Sequence, residues 1–259
     1  MGTDNTTQRG IDHAIDDSMR CDAGTKVRDW LALSFAMTLP AVMTFFEFVV
    51  LGGHMHESNL ALQIAFGAGK LVQFSFPIIF VVICQRARLR HLAPTWRGLW
   101  MGVGFGLVTS AAIWVLYPLL WHYTDLFEST PATVRTYLEE FHLDTPAKYF
   151  LLAAFMSGVH SLLEEYYWRW FVFDGLRRHV PEGVAIVVSS LAFMAHHVII
   201  MIVYFPGNLA VALVFSLGVA VGGAVWAWLF ARYQSLYAPW ISHLLIDAAI
   251  MAVGYDIAF

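Results

Sequence analysis

Residues 184–231 read VAIVVSSLAFMAHHVIIMIVYFPGNLAVALVFSLGVAVGGAVWAWLFA, without one Asp, Glu, Lys or Arg. Pro206-Gly207-Asn208 interrupts the run once and divides it into two stretches, 184–205 and 209–231. Each matches the roughly 20 apolar residues that carry a helix across a bilayer core about 30 Å thick. Working outward, five more such stretches appear at 30–51, 60–84, 99–121, 147–174 and 236–258, bounded by charges or by Gly and Pro. Only 99–121 among these five is also free of the four charged types. The sequence therefore predicts an all-α, polytopic transmembrane helical bundle of about seven crossings.

Composition agrees. Of 259 residues, 59% are hydrophobic and 13% charged, where about a quarter is charged in an ordinary soluble domain. Lys plus Arg is 15 against 19 Asp plus Glu, and the mean hydropathy is +0.62. This balance excludes a disordered chain and a nucleic-acid binder held by a basic surface. Two cysteines, Cys21 and Cys84, exclude a disulfide-dense secreted scaffold. Residues 1–28 are polar and read as a cytoplasmic tail, or at most a short amphipathic helix, ahead of a transmembrane domain over 29–259. The first apolar run is long and lacks a small-residue cleavage site, so it reads as a retained anchor.

Lys and Arg near the crossing ends set the orientation. With the N-terminus in the cytoplasm, the inner segments hold Arg9, Arg20, Lys26, Arg28, Arg86, Arg88, Arg90, Arg97, Arg177, Arg178 and Arg232, and the outer ones only Arg135 and Lys148. The longest connection, 122–146, is acidic and carries a helical segment at 131–141. Thr145-Pro146 then forms a helix start, with Thr as the N-cap accepting a backbone N–H and Pro in the first helical position.

Ionisable groups in membrane helices are costly and face a bundle interior or a water-filled cavity. Here they concentrate in the fourth, fifth and seventh crossings: Glu164-Glu165-x-x-x-Arg169, Phe193-x-x-His196-His197, and His243-x-x-x-Asp247. Residues four apart on a helix share a face, so Glu165 pairs with Arg169, Phe193 with His197, and His243 with Asp247. Glu164 lies about 100° round the helix from Glu165 and points to a different neighbour. At 1.5 Å per residue, Glu164 and His197 stand about 20 Å above the inner ends of their helices, and His243 and Asp247 roughly 10 and 16 Å above theirs. All fit one polar intramembrane cavity open to the cytoplasm. Such a cluster suits water activation: a Glu in an apolar setting acts as general base, one His handles the proton, and a second stabilises an oxyanion.

In this order on successive helices, the three motifs resemble the signature of the CPBP intramembrane glutamic endopeptidases. These are CAAX-processing and bacteriocin-processing enzymes, also called the Abi family, and the resemblance covers about residues 147–250. It implies a glutamate-dependent endopeptidase without a metal or other cofactor. By that likeness Glu164 activates water with His197, and His243 with Asp247 forms the oxyanion site. Glu165 and Arg169 are the supporting pair, and Phe193 packs beside the catalytic His. The eukaryotic relative has Asn at the last position. Asp247 accepts rather than donates when ionised, which favours a role in orienting His243. The implied substrate is a membrane-associated protein or peptide, the other partner is the lipid bilayer, and nucleic acid has no part. The implied location is a cell membrane, the inner membrane for a bacterial source.

Other readings stand beside this one. His160, Glu164, His196, His197, His243 and Asp247 are enough ligands for a Zn²⁺-dependent hydrolase, although no His-Glu-x-x-His helix is present. A scaffold or immunity protein that keeps the fold without the chemistry is a second. A proton-coupled transporter is a third, and it lacks the internal repeat usual for that class. His196 competes with His197, and His160 stands one turn before Glu164. Glu47, amid Phe45, Phe46 and Phe48, reads either as a structural hydrogen-bonding group or as lining the cavity. His54, His56 and Glu57 resemble a small metal cluster but read as solvated residues of an outer loop.

Overall fold

The computed structural model describes residues 5–51, 60–86, 93–128 and 130–259. His54, His56, Glu57, Arg88 and Arg90 lie outside the described residues. The described elements are helical throughout. Helix α1 spans Asn5–Phe45 and runs on through a π-helical end, Phe46–Leu51. The segment expected as a tail thus forms the beginning of its backbone. Helix α2, Leu60–Ile79, likewise ends in a π segment, Phe80–Cys84. Helix α3 is Trp96–Tyr123, and α4 is the connecting helix Thr130–Glu140. Helix α5 covers residues 146–176, α6 is Glu182–Tyr204, α7 is Leu209–Tyr233 and α8 is Tyr237–Ala258.

Among the described residues, six helical segments are long and apolar enough to cross a membrane: Gly24–Val50, Gly67–Cys84, Trp96–Tyr123, Glu182–Tyr204, Leu209–Tyr233 and Tyr237–Ala258. The protein is an integral membrane protein. The expected seventh crossing is α5, which fails that test. It alternates α and π turns, with π segments at Phe155–His160 and Tyr166–Phe173. It also carries Glu164, Glu165 and Arg169. The reason is position. Helix α5 is the one most enclosed by its neighbours, and Tyr167, Trp168, Arg169, Val172 and Phe173 are fully buried. A helix shielded by protein does not need an apolar surface all round.

Helices α3 and α8 pack along their lengths, as do α6 and α7, while α5 touches α6, α7 and α8, and α1 lies on α6. Gly98, Gly102 and Gly106 form a stripe of one small residue per turn on α3. A Cβ on Gly102 would run into the Ala238 carbonyl oxygen, and one on Gly106 would meet Leu245 and Ser242. Small residues at fourfold spacing let two membrane helices approach this closely. Side chains cross-link the helices as well: Ser110 Oγ donates to the Leu245 carbonyl at 3.0 Å, and Tyr167 Oη to that of Ala36 at 2.7 Å. Trp240 Nε1 donates to the carbonyl of Gly158 at 2.9 Å, inside the first π segment of α5. Wide turns of this kind recur at functional sites.

Thr145 has the extended backbone of an N-cap and Pro146 occupies the first turn, but the Thr145 hydroxyl makes no capping bond. The expected side-chain cap is absent; instead the Thr145 carbonyl accepts from Tyr149 N at 2.9 Å, the first backbone bond of the helix. Nearby, Lys148 Nζ donates to Asp144 Oδ1 at 3.2 Å and holds that exposed carboxyl below its ordinary range.

At one end of the bundle, Arg28 donates to Asp29 and to the Cys84 carbonyl, and Arg177 bonds Asp174 and Gln234. Asp29 also sits 3.8 Å from His179. These contacts tie the middle of α1 to the ends of α2, α5 and α7.

Candidate active site

Helix α5 supplies the acidic residues from a short α-helical stretch, Ser161–Glu165, between its two π segments. Both carboxylates are buried, and Glu165 has no exposed surface. Arg169 answers Glu165 with Nε at 2.9 Å from Oε2 and Nη2 at 3.3 Å from Oε1. The guanidinium also lies over the rings of Phe193, 5.0 Å away, and Trp226, 5.5 Å away. A buried Arg therefore meets a counter-charge and two π faces, as a charge removed from water requires. The expected Glu165–Arg169 pair is present.

Helix α8 brings His243 to this pair. Its Nδ1 lies 2.9 Å from Glu165 Oε1. An ionised carboxylate only accepts, so Nδ1 carries the proton and donates it to this bond. The opposite ring nitrogen, Nε2, is 3.7 Å from Glu164 Oε2 and 3.5 Å from Asp247 Oδ1. One imidazole thus stands between two adjacent glutamates. The sequence predicts different neighbours for Glu164 and Glu165, whereas both face the two edges of the same ring. An imidazole has a nitrogen on each edge and fills the wedge that a 100° step opens between successive side chains. Trp226 of α7 stacks on His243, with ring centres 4.0 Å apart and planes 17° apart, and its Nε1 donates to Ser242 Oγ at 3.0 Å.

Helix α6 contributes the remaining imidazoles. His196 Nε2 lies 3.7 Å from Glu164 Oε1, and its ring lies parallel to Trp168 at 5.9 Å. His197 bonds through Nδ1 to the Phe193 carbonyl at 3.0 Å. A carbonyl accepts, so Nδ1 holds the proton and Nε2 keeps a free lone pair. The His197 ring is 4.1 Å from that of His196 and 4.7 Å from that of Phe193. Phe193 also touches Trp168, Trp226 and His243. From α5 itself, His160 Nε2 stands 4.0 Å from Glu164 Oε1.

Glu164, Glu165, Arg169, Phe193, His197, His243 and Asp247 are therefore gathered in one place. His196, read from the sequence only as the competitor of His197, makes the α6 contact with Glu164. Trp168 and Trp226 carry no mark in the sequence that assigns them to the site. Both lie in runs rich in aromatic residues, and nothing in the local pattern separates a ring that stacks on a catalytic-type imidazole from one that faces lipid. Among the described residues, no group of three or more His, Cys, Asp or Glu side chains is arranged to hold a metal ion.

Residues 146–249 match the family model described as type II CAAX prenyl endopeptidase Rce1-like. The matched stretch begins at α5 and ends within α8, and so contains all three motifs. Its bounds agree with the 147–250 over which the motifs resemble CAAX-processing proteases. Comparison with curated proteins found no match, and comparison with solved structures found none either.

Proposed function

We propose that the protein is an intramembrane endopeptidase that hydrolyses a peptide bond in a membrane-associated protein or peptide, using a water molecule activated by Glu164. The observation that carries this reading is the setting of the Glu164 carboxylate, 3.7 Å from His196 of α6 and 3.7 Å from His243 of α8. Glu164 takes a proton from the water as it attacks the scissile carbonyl carbon. His197, with Nδ1 fixed on a backbone carbonyl, presents Nε2 to receive that proton and deliver it to the departing amine. His243, acting as the imidazolium with Nδ1–H held on Glu165, turns Nε2–H toward the space that Glu164 faces and stabilises the oxyanion that forms. Glu165 holds His243 by the opposite nitrogen and Asp247 steadies it, so neither needs to touch the substrate. No Ser or Cys nucleophile and no cofactor takes part.

The proposed location is a cell membrane with the N-terminus in the cytoplasm. Arg28, Arg177 and Arg178 share one end of the bundle with Asp29 and Asp174, which supports the charge asymmetry behind that orientation.

The test is cleavage. The termini of membrane proteins are compared between wild-type cells and cells carrying Glu164→Ala, and a terminus found only in the wild type identifies the substrate. Purified Glu164→Ala should fold and elute as the wild type does yet cleave nothing. Full turnover by that variant would defeat the assignment and favour a scaffold role.

A further inference from the structure

A second set of polar groups lies on the inward faces of α1 and α2, apart from the three motifs. On α1 the buried stripe Ala36, Pro40, Thr44 ends at Glu47, which is 7% exposed. On α2 it runs Gln73, Pro77, Phe80, with Gln73 only 2% exposed. Lys70 precedes Gln73 by one turn on the same face. Buried Oε1 of Glu47 and buried Oε1 of Gln73 have no hydrogen-bond partner among the described residues.

A buried acceptor without a donor is expensive, and in native proteins such groups are met by ordered water or by a bound ligand. Two of them face inward from adjacent helices in a membrane protein. Lys70 is within electrostatic reach of both Glu47 and His160, and the ring of Phe74, next to Gln73, meets that of His160 at 6.2 Å. His160 in turn stands 4.0 Å from Glu164. Helices α1 and α2 thus carry these groups on faces packed against α5, where Tyr167 meets Phe74 and bonds the Ala36 carbonyl, and His160 stands next to the carboxylate proposed as the base. Hydrolysis consumes one water for each bond cut, and lipid supplies none.

We propose that Glu47, Lys70, Gln73 and His160 line a hydrated path from the α1–α2 end of the bundle to Glu164, and that the attacking water arrives along it. The supply role rests on the endopeptidase reading, whereas the hydration of the path does not.

The experiment keeps these apart. In a chain with Cys21→Ser and Cys84→Ser, single cysteines are placed by Glu47→Cys, Gln73→Cys and the lipid-facing control Leu71→Cys. Each is treated with a charged methanethiosulfonate in liposomes. Only the thiolate reacts and an apolar setting suppresses it, so cysteines on a hydrated path should label about ten times faster than the control. Equal, slow labelling at all three positions would overturn the path whatever the enzyme does. Turnover is then measured for Gln73→Leu and Gln73→Asn, both checked for wild-type elution. The leucine variant should lower kcat with little change in KM, and the asparagine variant should restore it. Wild-type kcat in Gln73→Leu would overturn the supply role. Turnover persisting in Glu164→Ala would sink the endopeptidase reading and leave the labelling result standing.

Discussion

His243 is anchored to Glu165 across 78 positions of sequence, with Nδ1 2.9 Å from Oε1. The same carboxylate also receives Arg169. One buried group therefore fixes the imidazole of α8 and neutralises the guanidinium of α5, which makes it the joint of the site.

Removing that joint should cost both stability and activity. Glu165→Ala leaves Arg169 buried without its counter-charge, a loss of about 3–5 kcal/mol. Thermal unfolding in detergent should register the loss directly. Arg169→Ala should be harmful for the converse reason, and the double variant should lose less than the sum of the two singles. Strict additivity would mean that the pair is not coupled.

The two adjacent histidines should behave differently. His197→Ala removes the proposed proton carrier and should lower kcat by about 10²-fold or more, the usual scale for a general acid–base group. His196→Ala removes a neighbour that positions Glu164 and should retain measurable turnover. Kinetics on the two purified variants decides between them, and the opposite ranking would transfer the carrier role to His196.

Packing of α3 on α8 gives a test independent of chemistry. Gly102→Leu drives a side chain against the backbone of Ala238, and overpacking of this kind costs about 1–3 kcal/mol or more. Gly104→Leu, where a Cβ would find nothing within 4 Å, should be neutral. Melting temperatures in detergent should separate the pair, and equal melting would contradict the close approach at Gly102.

Chelation addresses the zinc reading. Purified protein treated with a strong chelator should keep its full cleavage rate, and elemental analysis should find no stoichiometric metal. Loss of activity on chelation, restored by Zn²⁺, would replace the glutamate mechanism with a metal one.

Much of this was open to reading in the chain. The six apolar crossings among the described residues stand out because length and apolarity are local properties. The ends of the last four fall within three residues of expectation, Glu182–Tyr204 against 184–205 for instance, whereas the first two spans begin at Gly24 and Gly67 against the expected 30 and 60. The i, i+4 pairs Glu165–Arg169 and His243–Asp247 follow from helical spacing alone. Helix α5 was harder, since its charges lower its hydropathy and its π turns break a regular period. The contact of His196 with Glu164 was not readable, because adjacent helical residues differ by about 100° in direction and the spacing does not say which one meets α5. Trp226 gave no sign of its stack on His243, and Gln73 no sign of facing inward.

Sequence by itself determined that the chain is a membrane helix bundle, and which acidic and imidazole residues are too costly in lipid to be there without partners. Tertiary structure alone decided which partners those are: His243 between Glu164 and Glu165, His196 at Glu164, two indoles against the imidazoles. The physical reason is that periodicity fixes directions within one helix, whereas meetings between helices depend on how closely and at what rotation they pack. That packing is set by contacts such as Gly102 against Ala238, far along the chain from the groups it brings together.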